Sequence, residues 1–240
     1  ISWDHETDVV VLGTGGAGLT AALAAVTAGA AVEVYEKSAT VGGTTAVSGG
    51  IAWIPAHDRS PDGALSVADA MAYLRAQSYG AMDDALVETF VRTGAPMLTF
   101  VEDNSDVRFE IATGFPDYKP ELPGGRPGGG RSLGPAPYNL DRIAGWGDKI
   151  TSFPADFSNV GIDAETRARL HADIGADDAD LVVAGAALIG GLLRGLLDRG
   201  VTPRTESRAV ELINVDGTVV GVRIQAGADT RAVRARRGVI

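Results

Sequence analysis

Apolar and polar positions fall into clear blocks over the first fifty residues. Val9–Leu12 is an unbroken apolar run, the pattern of a strand buried on both faces. It leads directly into Gly13-Thr14-Gly15-Gly16-Ala17-Gly18. An alanine-rich stretch, Ala17–Ala28, then carries a helix, and Gly29 stands where a C-cap belongs. Val32–Tyr35 predicts a second buried strand, ending on Glu36.

The pattern changes after Gly50. Ser2–Thr7 is a polar lead-in, Ile51–Pro55 a short extended piece closed by proline, and His57–Gly63 a polar loop. Ser66 predicts a helix N-cap, with Asp69 three residues on as an acidic capping box, and Val67, Met71 and Leu74 share one helical face. A second helix starts near Asp83 with Leu86, Val87, Phe90 and Val91 as its apolar face. Gly94 and Pro96 interrupt it, by a kink or a fresh start at Pro96, before Met97, Leu98 and Val101 resume. Glu110–Pro137 holds so many glycines and prolines that irregular structure is expected.

Leu140–Gly175 is weakly patterned, with a short helix over Asp163–Ala172. Asp177–Asp180 gives an acidic start to an apolar helix over Leu181–Arg199, with Arg194 and Arg199 near its other end and Gly200 as its stop. Gly185, Gly190, Gly191 and Gly195 weaken that helix but permit close packing. The tail reads as β. Val201–Thr205 is a strand. Ala209–Val215 and Thr218–Ile224 flank Asp216-Gly217, a type I′ hairpin signal. Thr230–Arg234 adds a strand, and Gly238–Ile240 begins another.

Composition narrows the function classes. The 240 residues are 45% hydrophobic and 22% charged, enough for a sizeable core. A net charge of −10 without a basic patch disfavours nucleic acid and anionic membranes, and no apolar run reaches membrane-spanning length. The absence of cysteine excludes disulfides, thiolate metal sites, iron–sulfur ligation and a cysteinyl flavin link. His5, His57 and His171 show no metal-ligand spacing, so no metal is expected.

The first block carries the chemistry. Gly13 allows a tight strand-to-helix turn, Gly15 lets a pyrophosphate approach the backbone, and Gly18 lets the helix lie close on the strand. Phosphates would meet the helix N-terminus, with Gly16 and Ala17 in its first turn. Glu36 is placed to accept ribose hydroxyls and would repel a 2′-phosphate. Lys37 follows, then a second glycine cluster, Gly42-Gly43-Thr44-Thr45, and then Ser48-Gly49-Gly50. A plain NAD-binding Rossmann module, the alternative reading, has no need of that second cluster.

GxGxxG, then Glu-Lys, then Gly-Gly-Thr-Thr, then Ser-Gly-Gly resembles the flavoprotein family of fumarate reductase and succinate dehydrogenase flavoprotein subunits, and within it the 3-ketosteroid dehydrogenases. The resemblance implies that Glu36 holds the adenosine ribose of FAD. It implies that Gly42, Gly43, Thr44 and Thr45 line the diphosphate and ribityl chain, and that Ser48, Gly49 and Gly50 lie by the isoalloxazine ring. The backbone of Ala209 or Val210 would lie by the adenine. The run from Phe115 to Pro137 is similar to a segment of 3-ketosteroid dehydrogenase-like proteins, which makes it a wall of a substrate cleft or a covering loop.

In this family a hydride moves between flavin N5 and substrate carbon at a CH–CH bond. Succinate dehydrogenases attach FAD through a histidine near the second cluster. Threonines stand there in this chain, so non-covalent FAD is expected. Δ1-ketosteroid dehydrogenases carry a tyrosine before Ser-Gly-Gly, where this chain has Val47. No catalytic residue is therefore assigned. Tyr118, Tyr138 and Arg131 are weak candidates for substrate contact and otherwise packing residues.

The expected fold is α/β: a Rossmann-like FAD-binding domain with a parallel sheet, a β-meander and a helical and irregular insertion, incomplete at its C-terminus. Residues 1–58 and 177–240 would form the two parts of the FAD-binding domain, and 59–176 the insertion. Family members run further. A second polypeptide or self-association is accordingly expected to complete the fold, around a small apolar substrate and in a cytoplasmic setting. A flavin-binding subunit inactive without a second chain is a further alternative.

Overall fold

The computed structural model describes residues 1–60, 64–143, 145–151 and 181–240. The helix expected over Asp163–Ala172, the acidic start at Asp177–Asp180, His171 and part of the His57–Gly63 loop lie outside these residues. The chain divides into two compact units. The first comprises Ile1–Gly49, Asn104–Val107 and Pro137–Ile240; the second comprises Gly50–Asp103 and Arg108–Ala136.

The first unit is built on a five-stranded sheet. Its opening strand β1 (His5–Leu12) leads to helix α1 (Gly16–Thr27) and strand β2 (Val32–Tyr35). The expected turn residues behave as required: Gly13 has φ +104° and Gly29 φ +81°, conformations that cost glycine little. A Cβ on Gly18 would run into the Gly13 carbonyl, so glycine there is what lets α1 lie against its own strand. The tail supplies β8 (Ser207–Val215), β9 (Thr218–Ala226) and β10 (Asp229–Val239). Asp216 and Gly217 have φ +50° and +83°, the pair of positive angles a type I′ turn demands.

The strand order is β2-β1-β10-β9-β8. β2, β1 and β10 run parallel, while β10, β9 and β8 alternate, so the sheet is mixed rather than parallel. The two strands expected at Thr230–Arg234 and Gly238–Ile240 are one eleven-residue strand. Residues 229–234 pair β9 and residues 233–239 pair β1, so the strand passes from one neighbour to the other. Pairing to β1 on either side of Arg236 and Arg237 carries the strand past the run of charge at Arg234, Arg236 and Arg237. All three sit beside carboxylates: Arg236 donates to Asp8 at 2.9 Å, Arg237 lies 3.8 Å from the same Asp8, and Arg234 lies 3.5 Å from Glu6. The polar lead-in also joins the sheet from His5 onward. Val201–Thr205 is not a strand; it makes a single bridge, Arg204 to Tyr35.

Helix α5 (Ala184–Leu197) begins three residues later than expected, because Leu181–Val182 form strand β7 with β6 (Tyr138–Asn139). Ile189, Leu192, Leu193 and Leu196 are fully buried, and α5 packs on α1 and on the short helix α2 (Gly43–Ala46). Its glycines each sit under a close neighbour, Gly190 under the Tyr138 ring and Gly195 under the Asn104 carbonyl. A Cβ on Gly185 would overlap the Thr45 carbonyl, and one on Gly191 would lie 2.9 Å from the Val107 nitrogen.

The second unit contains β3 (Ala52–Trp53), α3 (Val67–Ser78), the greater part of α4 (Asp84–Asn104), β4 (Phe109–Thr113) and β5 (Gly129–Pro135). Ser66 caps α3, accepting from the Asp69 N–H at 3.2 Å. α4 is one 21-residue helix that runs through Pro96. The missing donor costs it one hydrogen bond, and Gly94 lets it press on Ile54. Val91, Leu98 and Val101 are buried, but Leu86 is 71% and Phe90 46% exposed, so the expected apolar face holds only in part.

The run Glu110–Pro137 is not irregular throughout: β4 and β5 pair with each other, and β5 pairs with β3. Arg131 explains why. Its guanidinium donates to Asp117 at 2.7 Å and to the Pro55 carbonyl at 3.1 Å, and it lies over the rings of Trp53 and Tyr73. Asp117 also accepts from Trp53 Nε1 at 2.8 Å and Arg126 N at 3.0 Å. This buried, fully bonded ion pair organises the glycine-rich segment around it.

Candidate functional site

A groove of about 540 Å³ opens in the first unit at the C-terminal ends of β1 and β2. Such crevices beyond the carboxyl ends of parallel strands are where α/β sheets hold ligands. Its lining includes Gly13, Thr14, Gly15, Glu36, Lys37, Gly43, Thr44 and Ala209, together with Tyr35, Ser38, Ser207 and Arg208.

The walls are assembled by backbone pairing. Glu36 N–H donates to the Arg204 carbonyl and Ser207 N–H to the Glu36 carbonyl, both at 2.8 Å, which brings the start of β8 beside the end of β2. Ser207, Arg208 and Ala209 thereby reach the groove. Only the sheet order does this, and of the three the sequence pointed to Ala209 alone. Lys37 and Arg208 supply cationic side chains at the rim, while Glu36 supplies the buried anion.

Glu36 is 6% exposed. Its Oε2 accepts from the Thr14 N–H at 3.0 Å and from Thr14 Oγ1 at 2.6 Å, and its Oε1 accepts from the Ser38 N–H at 2.9 Å. Burial pushes the carboxyl upward, but the hydrogen bonds from Thr14 and Ser38 outweigh it and hold Glu36 below the ordinary glutamate range. The side chain is thus a carboxylate at neutral pH. A carboxylate offers about four lone-pair positions, and Thr14 and Ser38, the latter through its side chain as well as its N–H, already draw on them.

The second glycine cluster forms a tight turn rather than a flexible loop. Gly42 has φ +111° and Gly43 φ +51°. A Cβ on Gly42 would lie 2.6 Å from that of Ala46. Gly15 and Gly43 face one another, and methyl groups there would meet nothing nearer than 3.6 Å and 3.8 Å respectively. Glycine at these two positions therefore keeps groove space open; packing does not demand it. Thr45 Oγ1 accepts from the Gly16 N–H at 3.0 Å. Gly18 serves packing, and Ala17 is exposed on the first turn of α1.

Ser48 and Gly49 follow α2 and are exposed, with Ser48 Oγ donating to the Thr45 carbonyl at 2.8 Å. Gly50 belongs to the second unit. Of the weak substrate-contact candidates, Arg131 is the buried ion-pair partner described above. Tyr138 is buried with its hydroxyl on Asp106 at 3.2 Å. Both are packing residues here, whereas Tyr118 is 88% exposed. Among the described residues, no helix is long and apolar enough to cross a membrane.

A groove with two facing glycine turns, a helix N-terminus and a buried carboxylate suits a dinucleotide. Comparison with known proteins agrees. Residues 8–240 match the family described as FAD binding domain. The chain is 35% identical, over 95% of its length, to 4-oxocyclohexanecarboxylate 2-dehydrogenase of Sinomonas cyclohexanicum. It is 32% identical, over 98% of its length, to 3-oxosteroid 1-dehydrogenase of Mycolicibacterium smegmatis. It spans 42% and 46% of those two relatives. The crystal structure of 3-ketosteroid delta1-dehydrogenase from Sterolibacterium denitrificans, in complex with 1,4-androstadiene-3,17-dione, matches 98% of this chain with a TM-score of 0.87 and 25% identity, covering 47% of that protein. These matches set aside the NAD-module alternative.

Proposed function

Because the chain belongs to the FAD-binding-domain family, we propose that it forms the cofactor-holding part of an FAD-dependent oxidoreductase acting on a CH–CH bond beside a ring ketone. The observation that carries this reading is the groove in which Gly15 and Gly43 leave an open floor and Glu36 stands as a buried carboxylate at one wall. FAD, when bound, supplies the hydride acceptor or donor for such a reaction.

The chain's own residues bind and orient. Glu36 stands in the groove wall as the acceptor for a ribose hydroxyl. Gly13–Gly18, with the N-terminus of α1, and Gly42–Thr45 bracket the diphosphate and ribityl chain. Lys37 and Ala209 serve the adenine end, and Ser48 and Gly49 the flavin end. Threonines in the second cluster favour non-covalent retention. The substrate class rests on the two relatives, both named for dehydrogenation of an oxo-substituted ring system.

Purification tests this directly. The protein is expected to carry flavin absorbance, released by denaturation alone. It is then expected to reduce an artificial electron acceptor with a 3-oxosteroid or 4-oxocyclohexanecarboxylate as donor. A colourless protein that takes up NAD in calorimetry but not FAD would overturn the reading.

A further inference from the structure

We propose that Thr14 and Thr45 form a reciprocal staple between the two glycine turns, assembling the groove before any cofactor arrives, with Thr14 as the positioning residue that orients Glu36. The inference rests on reading this groove as the FAD site.

Thr14 sits between Gly13 and Gly15 and is 1% exposed. Its hydroxyl lies 2.6 Å from Glu36 Oε2 and 3.0 Å from the Gly42 nitrogen. A backbone N–H can only donate and a carboxylate can only accept, so both bond directions are determined. The Gly42 N–H donates to Thr14 Oγ1, and the Thr14 hydroxyl donates to Glu36. One side chain of the first turn thus holds the second turn and the acid together, in a chain of bonds that strengthen one another away from water.

Thr45 is the counterpart. It lies in the second turn and accepts from the Gly16 N–H of the first, at 3.0 Å. Each turn therefore gives a threonine hydroxyl to a backbone donor of the other. Among the described residues, the Thr45 hydroxyl has no acceptor for its own proton. Glu36, with its acceptor positions drawn on by Thr14 and Ser38, is first a joint between loops and only then a ligand.

Valine has the shape of threonine but no hydroxyl. Thr14→Val leaves the Gly42 N–H and one Glu36 lone pair buried without a partner. FAD titrations, followed by flavin fluorescence, should show binding weakened about tenfold or more in Thr14→Val and retained within about threefold in Thr14→Ser. Lowering the pH from about 7 to 5 should weaken FAD binding further in Thr14→Val, because Glu36 has lost a donor that kept it ionised, while the wild type stays flat. A purely structural defect would not create that pH dependence.

Hydrogen exchange of the Gly42 amide in cofactor-free wild type is the second measurement, and it stands even if the valine variant does not fold. Protection is expected. Exchange at the rate of an open loop amide would overturn the staple, as would a Thr14→Val protein with wild-type FAD affinity and a flat pH profile. Failure of wild type to bind FAD would instead overturn the cofactor reading, with the Gly42 exchange still deciding the staple.

Discussion

At Gly15 and Gly43 an added methyl group would find its nearest neighbours at 3.6 Å and 3.8 Å; at Gly125 it would lie 2.6 Å from the Pro120 carbonyl, and at Gly124 it would collide with that of Asp69. Glycine does opposite work at these two pairs of positions. Gly15 and Gly43 keep space open beside a strand end and a helix N-terminus. Gly124 and Gly125 remove space, letting backbone segments close on one another. The open pair lines the groove, and the closed pair serves packing. Glycine content alone does not separate these uses; the neighbour a Cβ would meet does.

The contrast can be broken most severely at Arg131. Arg131→Ala strands the Asp117 carboxylate, whose side chain is 1% exposed. It should cost about 3–5 kcal/mol, read as a lowered urea midpoint. A loss below about 1 kcal/mol would mean that the pair does not hold the second unit together.

Gly15→Ala should behave in the opposite manner. We expect FAD affinity to fall about tenfold, equivalent to roughly 1.4 kcal/mol. The melting temperature of the cofactor-free protein should barely move, because the methyl has room there. A matching loss of stability without cofactor would erase the distinction between the two kinds of glycine.

Glu36 sharpens the comparison through pH. Its carboxyl is held below the ordinary value in the folded protein. It therefore contributes stability that is fully present above the unfolded glutamate value, about 4.3, and is lost as pH falls through the lower folded value. Glu36→Gln should be less stable than wild type at neutral pH, with the gap narrowing below about pH 4. Parallel acid titrations of both proteins by circular dichroism check this; a gap that stays constant would show that the ionised form is not what the loops hold. The smallest effect is expected at Tyr138, where phenylalanine forfeits one hydrogen bond to Asp106. The cost should be about 1 kcal/mol, with substrate kinetics unchanged.

Much of the first unit was legible from the chain, because its signals are local. The limits of β2, the turn at Gly13, the Gly29 stop and the Asp216-Gly217 hairpin each depend on residues a few positions apart. The second unit was legible at Ser66, whose cap is equally local. It was not legible at Gly129–Pro135, which reads as a loop until β3 and β4 supply partners. Leu86 and Phe90 looked like core because helical spacing marks a stripe without saying how wide its cover is. The run ending at Ile240 looked like two strands because its arginines interrupt the apolar pattern, while its pairing to β1 runs on past them.

The sequence by itself determined the strand–turn–helix–strand opening, the acid after β2 and the second glycine turn, and with them the kind of ligand the protein holds. These follow from backbone conformations that only certain residues adopt and from charge at a set spacing. Tertiary structure alone decided that β10 joins β1 in mid-sheet, that Ser207–Ala209 reach the groove, and that Thr14 and Thr45 each bond the opposite turn. Those outcomes depend on hydrogen bonds between segments far apart in the chain, and a hydroxyl or a strand edge does not announce its partner.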